Sequence, residues 1–374
     1  MTTPRRAPEV LLRRYWDDPD TPLVTAGLSA LSVGYRGALR VRDLAYRWRL
    51  LRTGRLPAVV VSVGNLTLGG SGKTPTVELT VRTLQELGAH PAVVSRGYGR
   101  STRGVRVVAD REAVRAAARV AGDEPLLLAE RLPGVPVVVG ENRYEAGRVA
   151  IEQHGATALV LDDGFQHRTL AKDLEILVVQ GRAPWGNARV FPRGMLREPL
   201  SALRRAHLVL VTNPPDAAQV AAVTETVRRY NSRAPVLTAR YSLEDALETQ
   251  SGRRVPVGEL AGRRLLAFAG LGSPLGFADT LDSIGIRRVG FVELPDHHWF
   301  TTRDVQELTR DGRASGAQGL VTTEKDWVRI RDLAPSTLPL WVLPVRLALE
   351  SGRDLWQQAL AAALATHPLG RSVS

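Results

Sequence analysis

A glycine-rich run between a strand-like and a helix-like segment constrains the fold of this chain more than any other feature. The run is VVVSVGNLTLGGSGKTPTVELT, residues 59–80. The apolar residues Val59–Val63 predict a buried strand, and Val77, Val81 and Leu84 recur at helical spacing. Backbone N–H groups of such a loop, together with the N-terminus of the following helix, bind phosphate groups. The run therefore predicts a P-loop that binds a nucleoside triphosphate.

Lys73 is one of only three lysines in a chain of 374 residues with 50 basic side chains. Arginine is used almost everywhere else, so a retained lysine indicates a position that needs a compact ammonium group. In a P-loop this lysine reaches the β- and γ-phosphates, and the hydroxyl of the next residue, here Thr74, helps to hold Mg²⁺. The residues assigned to the nucleotide are Thr67, Leu68, Gly69, Gly70, Ser71, Gly72, Lys73 and Thr74.

Two observations limit the P-loop interpretation. The strict pattern begins with glycine, whereas Thr67 occupies that position here. The glycines alone would also fit a βα turn that only lets helix and strand pack closely. That alternative leaves the pair Lys73-Thr74 unexplained.

The composition predicts a folded chain that is long enough for two domains. Hydrophobic residues make up 44% and charged residues 24% of the sequence, as in ordinary globular proteins. The absence of cysteine excludes disulfides and thiolate metal sites and suits a cytoplasmic protein without proving it. The N-terminus lacks a continuous apolar core, so no secretory signal is predicted.

Positive charge is concentrated near the N-terminus. Residues 1–55 hold eleven arginines against five acidic residues, about half of the net charge of +12. The apolar run at 23–35 is too short to span a bilayer. Residues 36–55 mix arginines with leucines and aromatic residues, which suits a helix in a membrane interface or, equally, a soluble helix that covers the sheet. Nucleic acid is disfavoured as a partner because no recognition motif accompanies the basic residues.

Apolar strand-like runs alternate with helical stretches after the P-loop, which predicts a mostly parallel sheet covered by helices on both faces. Strands are predicted at 91–95, 105–108, 135–139, 158–161, 176–179 and 208–211, and helices at 111–120 and 144–154. A second series of strands is predicted at 265–269, 288–292, 319–322 and 340–343. We therefore predict an α/β protein with three parts: a basic segment (1–55), a P-loop NTPase-like α/β/α sandwich (56–235) and a smaller α/β domain (236–374).

Polar clusters follow several predicted strands, at the edge where parallel sheets place their ligands. Asp162 and Asp163 follow the run ALVL in the manner of a Walker B strand, whose carboxylate lies near Mg²⁺. Asp123 opens a predicted helix, where acidic residues are common, but it could also accept the proton of an attacking hydroxyl. The pair His297-His298 favours proton transfer over metal binding, because no further ligand follows at helical spacing.

The ordered set of motifs resembles the tetraacyldisaccharide 4′-kinase family, the lipid A 4′-kinases of Gram-negative inner membranes. The motifs are VGNLTLGGSGKTP, SRGYGR, GDEP, DDGFQH, LREP, AFAGLGSP, DHHWF and TTEKD. The resemblance runs through most of the chain, and Thr67 belongs to the family pattern. It implies transfer of the γ-phosphate of ATP, with Mg²⁺, to the 4′-hydroxyl of a tetraacyldisaccharide 1-phosphate. The implied protein is a monomer that binds peripherally to the lipids on the cytoplasmic face of the inner membrane.

The resemblance also implies roles for individual residues. Asp123 is the expected base, His297 supports it from the second domain, and Thr74 and Asp162 organise Mg²⁺. Lys73 and Asp163 complete the expected catalytic set. Residues expected to contact the phosphates or the disaccharide are Arg96, Glu124, Gln166, His167, Arg197 and Glu198. Glu324, Lys325 and Asp326 are placed in the site without a role, and the sequence leaves open whether His297 or His298 is the catalytic histidine.

The implied substrate favours the membrane-interface interpretation of residues 1–55, because exposing four acyl chains to water costs about 0.8 kcal/mol per CH₂ group. Two other classes of protein remain as alternatives. A P-loop molecular switch or metal-insertion GTPase should carry a guanine-reading N-K-x-D segment, and residues 212–216, the nearest candidate, lack the lysine. A non-enzymatic basic binder would not explain Lys73, Thr74 and Asp162 together.

Overall fold

The structure is a computed structural model that describes residues 21–271, 274–333 and 336–367, without the side chains of residues 274 and 275. The first twenty residues of the predicted basic segment lie outside this description. The described chain forms two β-sheets with helices around them. The predicted α/β class is therefore confirmed.

The elements of the first 230 residues are α1 (Pro22–Arg47), β1 (Val59–Gly64), α2 (Lys73–Glu86), β2 (Pro91–Ser95), β3 (Arg106–Ala109), α3 (Ala118–Ala121), α4 (Asp123–Arg131), β4 (Val137–Val139), α5 (Arg143–His154), β5 (Ala158–Asp162), β6 (Leu174–Gln180), β7 (Leu208–Thr212) and α6 (Ala217–Tyr230). The remaining elements are β8 (Val236–Leu243), β9 (Ala246–Glu248), β10 (Arg254–Val255), β11 (Arg264–Ala269), α7 (Pro274–Ser283), β12 (Arg287–Glu293), α8 (Thr302–Ala314), β13 (Gly319–Thr323), α9 (Glu324–Ile330), β14 (Leu340–Leu343), β15 (Val345–Leu349) and α10 (Arg353–Ala365). Two short 3₁₀ helices span Leu200–Arg205 and Val257–Leu260.

The larger sheet has nine strands in the order β15-β8-β7-β6-β1-β5-β2-β4-β3. Its seven inner strands run parallel, and an antiparallel strand closes each edge. Side chains of β1 alternate between two cores: Val59, Val61 and Val63 pack on the face that α2, α4 and α10 cover, and Val60 packs with α5 on the other. Burial on both faces explains the continuous apolar runs in the sequence.

The smaller sheet has six strands in the order β10-β9-β14-β13-β11-β12. Strands β14, β13, β11 and β12 run parallel, and β9 and β10 pair antiparallel at one edge. Leu265 and Ala267 of β11 pack with α7, while Leu266 and Phe268 pack with α8 on the opposite face. All four strands predicted for this region are present.

The division between the two sheets does not follow the predicted boundary between residues 235 and 236. Strand β8 begins at Val236 and pairs parallel with β7 of the larger sheet. After β14, the chain returns through β15, which pairs antiparallel with β8, and α10 then packs against α2. The smaller sheet is thus inserted between two strands of the larger one, and apolar periodicity alone cannot tell which sheet a strand will join.

The predicted helix at 111–120 is wrong, since only Ala118–Ala121 is helical there. The Asp110 carboxylate accepts hydrogen bonds from the backbone N–H groups of Glu112 (2.8 Å) and Ala113 (2.9 Å). Val114 then pairs with Ala109 as an isolated bridge. A side-chain turn of this kind competes with helix formation, and the residue periodicity did not reveal it.

Helix α1 lies on the larger unit and leaves much of its apolar surface uncovered. Leu28, Ser32 and Leu39 are buried, and the Ser32 hydroxyl donates to the Val190 carbonyl. By contrast, the exposed fractions are 86% for Leu23, 63% for Leu31, 68% for Val41 and 67% for Trp48. Within the described ranges, no helix combines the length and apolar character needed to cross a membrane.

The fold predicts that α10 is an essential part of the larger unit. The Trp356 side chain is 1% exposed and its indole N–H donates to the Thr83 hydroxyl of α2 at 3.1 Å. We expect Trp356→Ala to lower the free energy of unfolding by about 3–5 kcal/mol, because a large buried side chain is removed. Urea unfolding followed by circular dichroism measures this change. Leu355→Ala, at a neighbouring side chain that is 46% exposed, is the control, and an equal loss in both variants would contradict the prediction.

Candidate active site

Side chains from both units meet at the carboxyl edge of the larger sheet. The loop after β1, the ends of β2 and β5, and the start of α4 come from the larger unit. The loop 295–300 and helix α9 reach the same place from the smaller unit. This is the edge at which parallel α/β sheets bind their ligands.

The P-loop is held in place by close contacts with neighbouring loops. Gly72 has a φ of +86°, and a Cβ atom there would lie 2.4 Å from the Tyr241 hydroxyl oxygen, so only glycine fits. The Leu68 N–H donates to the Met195 carbonyl at 2.8 Å, and the Arg197 N–H donates to the Leu66 carbonyl at 2.7 Å. The LREP motif therefore supports the phosphate-binding loop from outside.

Asn65 organises the start of the P-loop, and the sequence analysis missed it. Its side chain is fully buried, donates to the Thr67 carbonyl at 2.8 Å and accepts from Lys73 Nζ at 3.3 Å. The Gln166 amide donates to the Asn65 carbonyl at 2.8 Å. Gln166, predicted to contact substrate, thus connects the DDGFQH loop to the P-loop.

Asp162 and Asp163, adjacent at the end of β5, have opposite electrostatic environments. Asp162 is 2% exposed and accepts from the Ser95 hydroxyl at 2.9 Å. Burial, followed by the charges of Glu124 and Asp163, raises the pKa of Asp162 to about 7. Burial would also raise the pKa of Asp163, but the charges of Lys73 and Arg197 outweigh it and lower that pKa to about 2.

The surroundings of Asp162 fit a divalent cation. Its Oδ1 atom is buried and has no hydrogen-bond partner among the described residues. A cation beside Asp162 would supply the positive charge that this carboxylate lacks. Mg²⁺ is bound in proteins by one or two carboxylates together with substrate phosphates and water, so a single carboxylate at this edge of the sheet fits that ion.

Asp163 lies between two cations that face the P-loop. Its carboxylate accepts from Arg197 Nη1 at 2.7 Å and lies 3.7 Å from Lys73 Nζ. Its φ is +52°, an unusual value for a non-glycine residue that sets it apart from the strand before it. One carboxylate therefore connects the P-loop lysine to the LREP arginine.

Asp123 and His297 meet across the two units. The His297 Nδ1 atom lies 2.9 Å from Oδ2 and 3.2 Å from Oδ1 of Asp123. Burial opposes the charge of Asp123, but the hydrogen bond to His297 and the charges of Lys325, His297 and Arg329 lower its pKa well below its usual range. The carboxylate is thus ionised although only 3% of the residue is exposed.

The structure distinguishes the two adjacent histidines. His297 contacts Asp123, whereas the His298 Nε2 atom lies 3.2 Å from Asp304 Oδ2 at the start of α8. His297 is therefore the histidine that joins the two units at Asp123, and His298 contacts the start of α8.

Lys325 forms a second contact between the units. Its ammonium donates to Glu124 Oε1 at 2.9 Å and to Asp296 Oδ1 at 3.4 Å. Burial would lower the pKa of Lys325, but the charges of Glu124, Asp296 and Asp123 outweigh it and raise that pKa. Glu124, predicted to contact substrate, is paired with this lysine, and Lys325 gains a role that the sequence did not supply.

Other predicted residues lie around this centre. Arg96 is exposed beside it, and the His167 Nε2 atom contacts the Thr169 hydroxyl at 2.6 Å. Burial, followed by the charge of Arg143, lowers the pKa of His167 to about 4, so this imidazole is neutral. Glu324 pairs with Arg131.

Glu198 lies in a structural position. It is 2% exposed and pairs with Arg42 of α1 and with Arg205.

Arg143 and Arg329 were not predicted from the sequence. The chain is so rich in arginine that the presence of an arginine at one position says little about its role.

Comparisons with known proteins agree on one family. Residues 24–365 match the family model described as LpxK, tetraacyldisaccharide-1-P 4′-kinase. The tetraacyldisaccharide 4′-kinase of Syntrophus aciditrophicus is 38% identical over 90% of this chain and 94% of its own length. The enzyme of the same name from Anaeromyxobacter sp. (strain Fw109-5) is 42% identical over 92% of this chain and 91% of its own.

A solved structure is similar as well. The crystal structure of LpxK from Aquifex aeolicus in complex with ATP has a TM-score of 0.73 and 30% identity to this chain. The match covers 91% of this chain and 99% of that one.

The geometry of the P-loop predicts that Asn65 is needed for ATP binding. We expect Asn65→Ala to weaken ATP binding about tenfold, because the Thr67 carbonyl and the Lys73 ammonium lose their shared buried partner. We also expect a loss of about 1–3 kcal/mol in the free energy of unfolding. Isothermal titration calorimetry and thermal denaturation measure the two effects. Asn231→Ala, at the end of α6, which removes hydrogen bonds to the carbonyls of Leu203 and Ala206, is the control; equal ATP affinity in both variants would contradict the role.

Proposed function

The chain belongs to the tetraacyldisaccharide 4′-kinase family and is a phosphotransferase of lipid A biosynthesis, and from this premise we propose how its residues divide the reaction. The observation that carries the proposal is the 2.9 Å contact between His297 and the buried carboxylate of Asp123. This contact places an ionised carboxylate at the P-loop edge of the sheet and orients it from the other unit.

ATP binds at the P-loop in this proposal. The loop amides of residues 67–72 and the N-terminus of α2 receive the phosphate oxygens, and Lys73 reaches the terminal phosphates. Asn65 and Asp163 hold Lys73 at the site, at 3.3 Å and 3.7 Å from its Nζ atom. The Aquifex aeolicus relative, which was crystallised with ATP, has this fold.

We propose that Thr74 and Asp162 hold Mg²⁺ with the nucleotide. The support is the buried Oδ1 atom of Asp162, which has no hydrogen-bond partner in the described part of the chain. The raised pKa of Asp162 indicates a carboxylate that is short of positive charge. When bound, the ion neutralises charge on the β- and γ-phosphate oxygens.

Asp123 serves as the base toward the acceptor. The oxygen of the 4′-hydroxyl forms a bond to the γ-phosphorus, its proton passes to the Asp123 carboxylate, and the bond from that phosphorus to the bridging oxygen breaks to release ADP. A carboxylate with a low pKa is a weak base, but it suffices because the transition state of phosphoryl transfer is loose and its proton is lost late. His297 fixes the orientation of the carboxylate.

The acceptor would lie against the cationic rim of the site. Arg96, Arg197 and neutral His167 are placed to contact the phosphates and the disaccharide. Three other predicted residues act indirectly: Glu124 holds Lys325, Gln166 holds the P-loop, and Glu198 holds α1. In this proposal the active unit is a monomer, and closure of the smaller domain completes the site.

We propose that α1 docks on the membrane that supplies the lipid substrate, on the cytoplasmic face of the inner membrane. Its exposed apolar residues include Leu23, Leu31 and Val41, exposed Trp48 follows its last residue, and its arginines suit anionic headgroups. The same helix reaches the site, since the Tyr35 hydroxyl donates to the Arg197 carbonyl at 3.1 Å. Membrane docking and substrate capture would therefore occur on neighbouring surfaces.

The division of roles predicts distinct kinetic defects. We expect Asp123→Asn to lower kcat by about 10²–10⁴-fold with ATP affinity retained, because the base acts mainly in the transition state. Lys73→Ala should instead weaken ATP binding. Transfer of label from radioactive ATP to a disaccharide 1-phosphate acceptor, combined with calorimetry, separates the two. Asp354→Asn, on the exposed surface of α10, is the control; loss of ATP binding in Asp123→Asn would contradict its assignment as base.

The docking proposal predicts a membrane-binding defect without a folding defect. We expect the double variant Leu31→Gln and Val41→Gln to lower the fraction that sediments with phosphatidylglycerol-containing vesicles by about tenfold, because each exposed side chain loses burial in the interface. Leu355→Gln, at an exposed residue of α10, is the matched control. Unchanged sedimentation of a folded double variant would rule out docking through this face.

A further inference from the structure

Arg329 of α9 joins four separate parts of the site. Its side chain is 0% exposed, and Nη2 donates to Asp326 at 2.9 Å. Nη1 donates to the His298 carbonyl at 3.0 Å, and Nη2 also lies 3.3 Å from the Gly270 carbonyl at the end of β11. The Nε atom lies 3.5 Å from Asp123 Oδ2 in the other unit. One guanidinium therefore contacts the smaller sheet, the histidine loop and the carboxylate of Asp123.

The histidine loop needs such a support. His297 has a φ of +58°, in the left-handed region that residues with a Cβ atom seldom adopt. The loop is closed by the His298 N–H, which donates to the Pro295 carbonyl at 3.0 Å. Arg329 binds the carbonyl of His298, the residue directly after the strained one. It therefore holds the conformation in which Nδ1 of His297 faces Asp123.

The charged surroundings of Asp123 come mainly from the smaller unit. His297 lies on the loop, and Lys325 and Arg329 lie on α9, while Glu124 is the neighbouring residue on α4. Asp296 is paired with Lys325, and the Tyr98 ring lies 5.3 Å from the ring of His297. Within the described contacts, Arg329 is the group that touches both the carboxylate and the backbone of the histidine loop.

We propose that Arg329 is a positioning residue for phosphoryl transfer, which fixes His297 against Asp123 while the two units are in contact. This inference rests on the proposed function, because it takes Asp123 as the base. Arg329 affects the reaction indirectly, through Asp123 and the histidine loop. Separation of the two units would remove the contacts of Asp123 with Arg329 and with His297 together.

The test compares Arg329→Gln, Arg329→Lys and Arg331→Gln in the full-length protein. Arg331 lies two residues further along the same segment and pairs with Glu130 of α4, so its variant removes an ion pair between the units away from Asp123. The readouts are kcat at saturating ATP and Mg²⁺, ATP affinity by calorimetry, and thermal denaturation.

We expect Arg329→Gln to lower kcat at neutral pH by about 10²-fold with ATP affinity unchanged, because the reacting groups are misplaced. Arg329→Lys keeps the charge but loses the hydrogen bonds to the loop, so its kcat should also fall. Arg331→Gln should leave both kcat and ATP affinity unchanged.

Two results would overturn the inference. An unchanged kcat in a folded Arg329→Gln would do so, and so would an equal loss of kcat in Arg331→Gln. Should Arg329→Gln fail to fold, Arg329→Lys decides the matter, because a wild-type kcat in that variant would exclude a need for the guanidinium hydrogen bonds. Asp123→Asn separates this inference from the proposed function: full activity of Asp123→Asn would refute the base assignment, whereas a normal Arg329→Gln beside an inactive Asp123→Asn would refute the role of Arg329 alone.

Discussion

The buried carboxylate of Asp123 is the constraint on which the arrangement of this protein depends. A charge removed from water is tolerated only when hydrogen bonds and opposite charges compensate it. Gly122, with a φ of +91°, leads the chain into α4 and sets Asp123 at its start, but the compensating groups His297 and Arg329 belong to the smaller unit. Desolvation of one side chain therefore requires two separately folded sheets to meet.

The chain crosses between the two sheets at a single place. Strands β8 and β15 carry the chain into and out of the smaller unit and pair with each other, so both crossings lie side by side. Arg131 stands at this crossing: it donates to the Val345 carbonyl at 2.7 Å and to Glu78 of α2 at 2.8 Å, and it also pairs with Glu324 of α9. The contact between units is thus tied to the helix that follows the P-loop.

The sequence predicted those parts of the protein that depend on local pattern. The P-loop, β2, β14 and α5 were found because continuous apolar runs, glycines and helical periodicity carry local signals. The helix at 111–120 was mispredicted because a side-chain turn at Asp110 overrides the periodicity. The boundary at residue 235, the role of Asn65 and the contacts of Glu198 and Arg329 depend on which distant segments come together. No pattern of neighbouring residues encodes that.

The segment 190–198 contacts both α1, the proposed membrane-docking helix, and the P-loop. On one side it accepts the Ser32 hydroxyl and the Tyr35 hydroxyl of α1; on the other it pairs with the backbone of Leu66 and Leu68 in the P-loop. With α1 docked as proposed, this segment would set the height of the P-loop above the lipid surface. Such a fixed elevation would select acceptors by how far their sugar headgroups protrude from the bilayer, independently of the chemistry of the tails beneath.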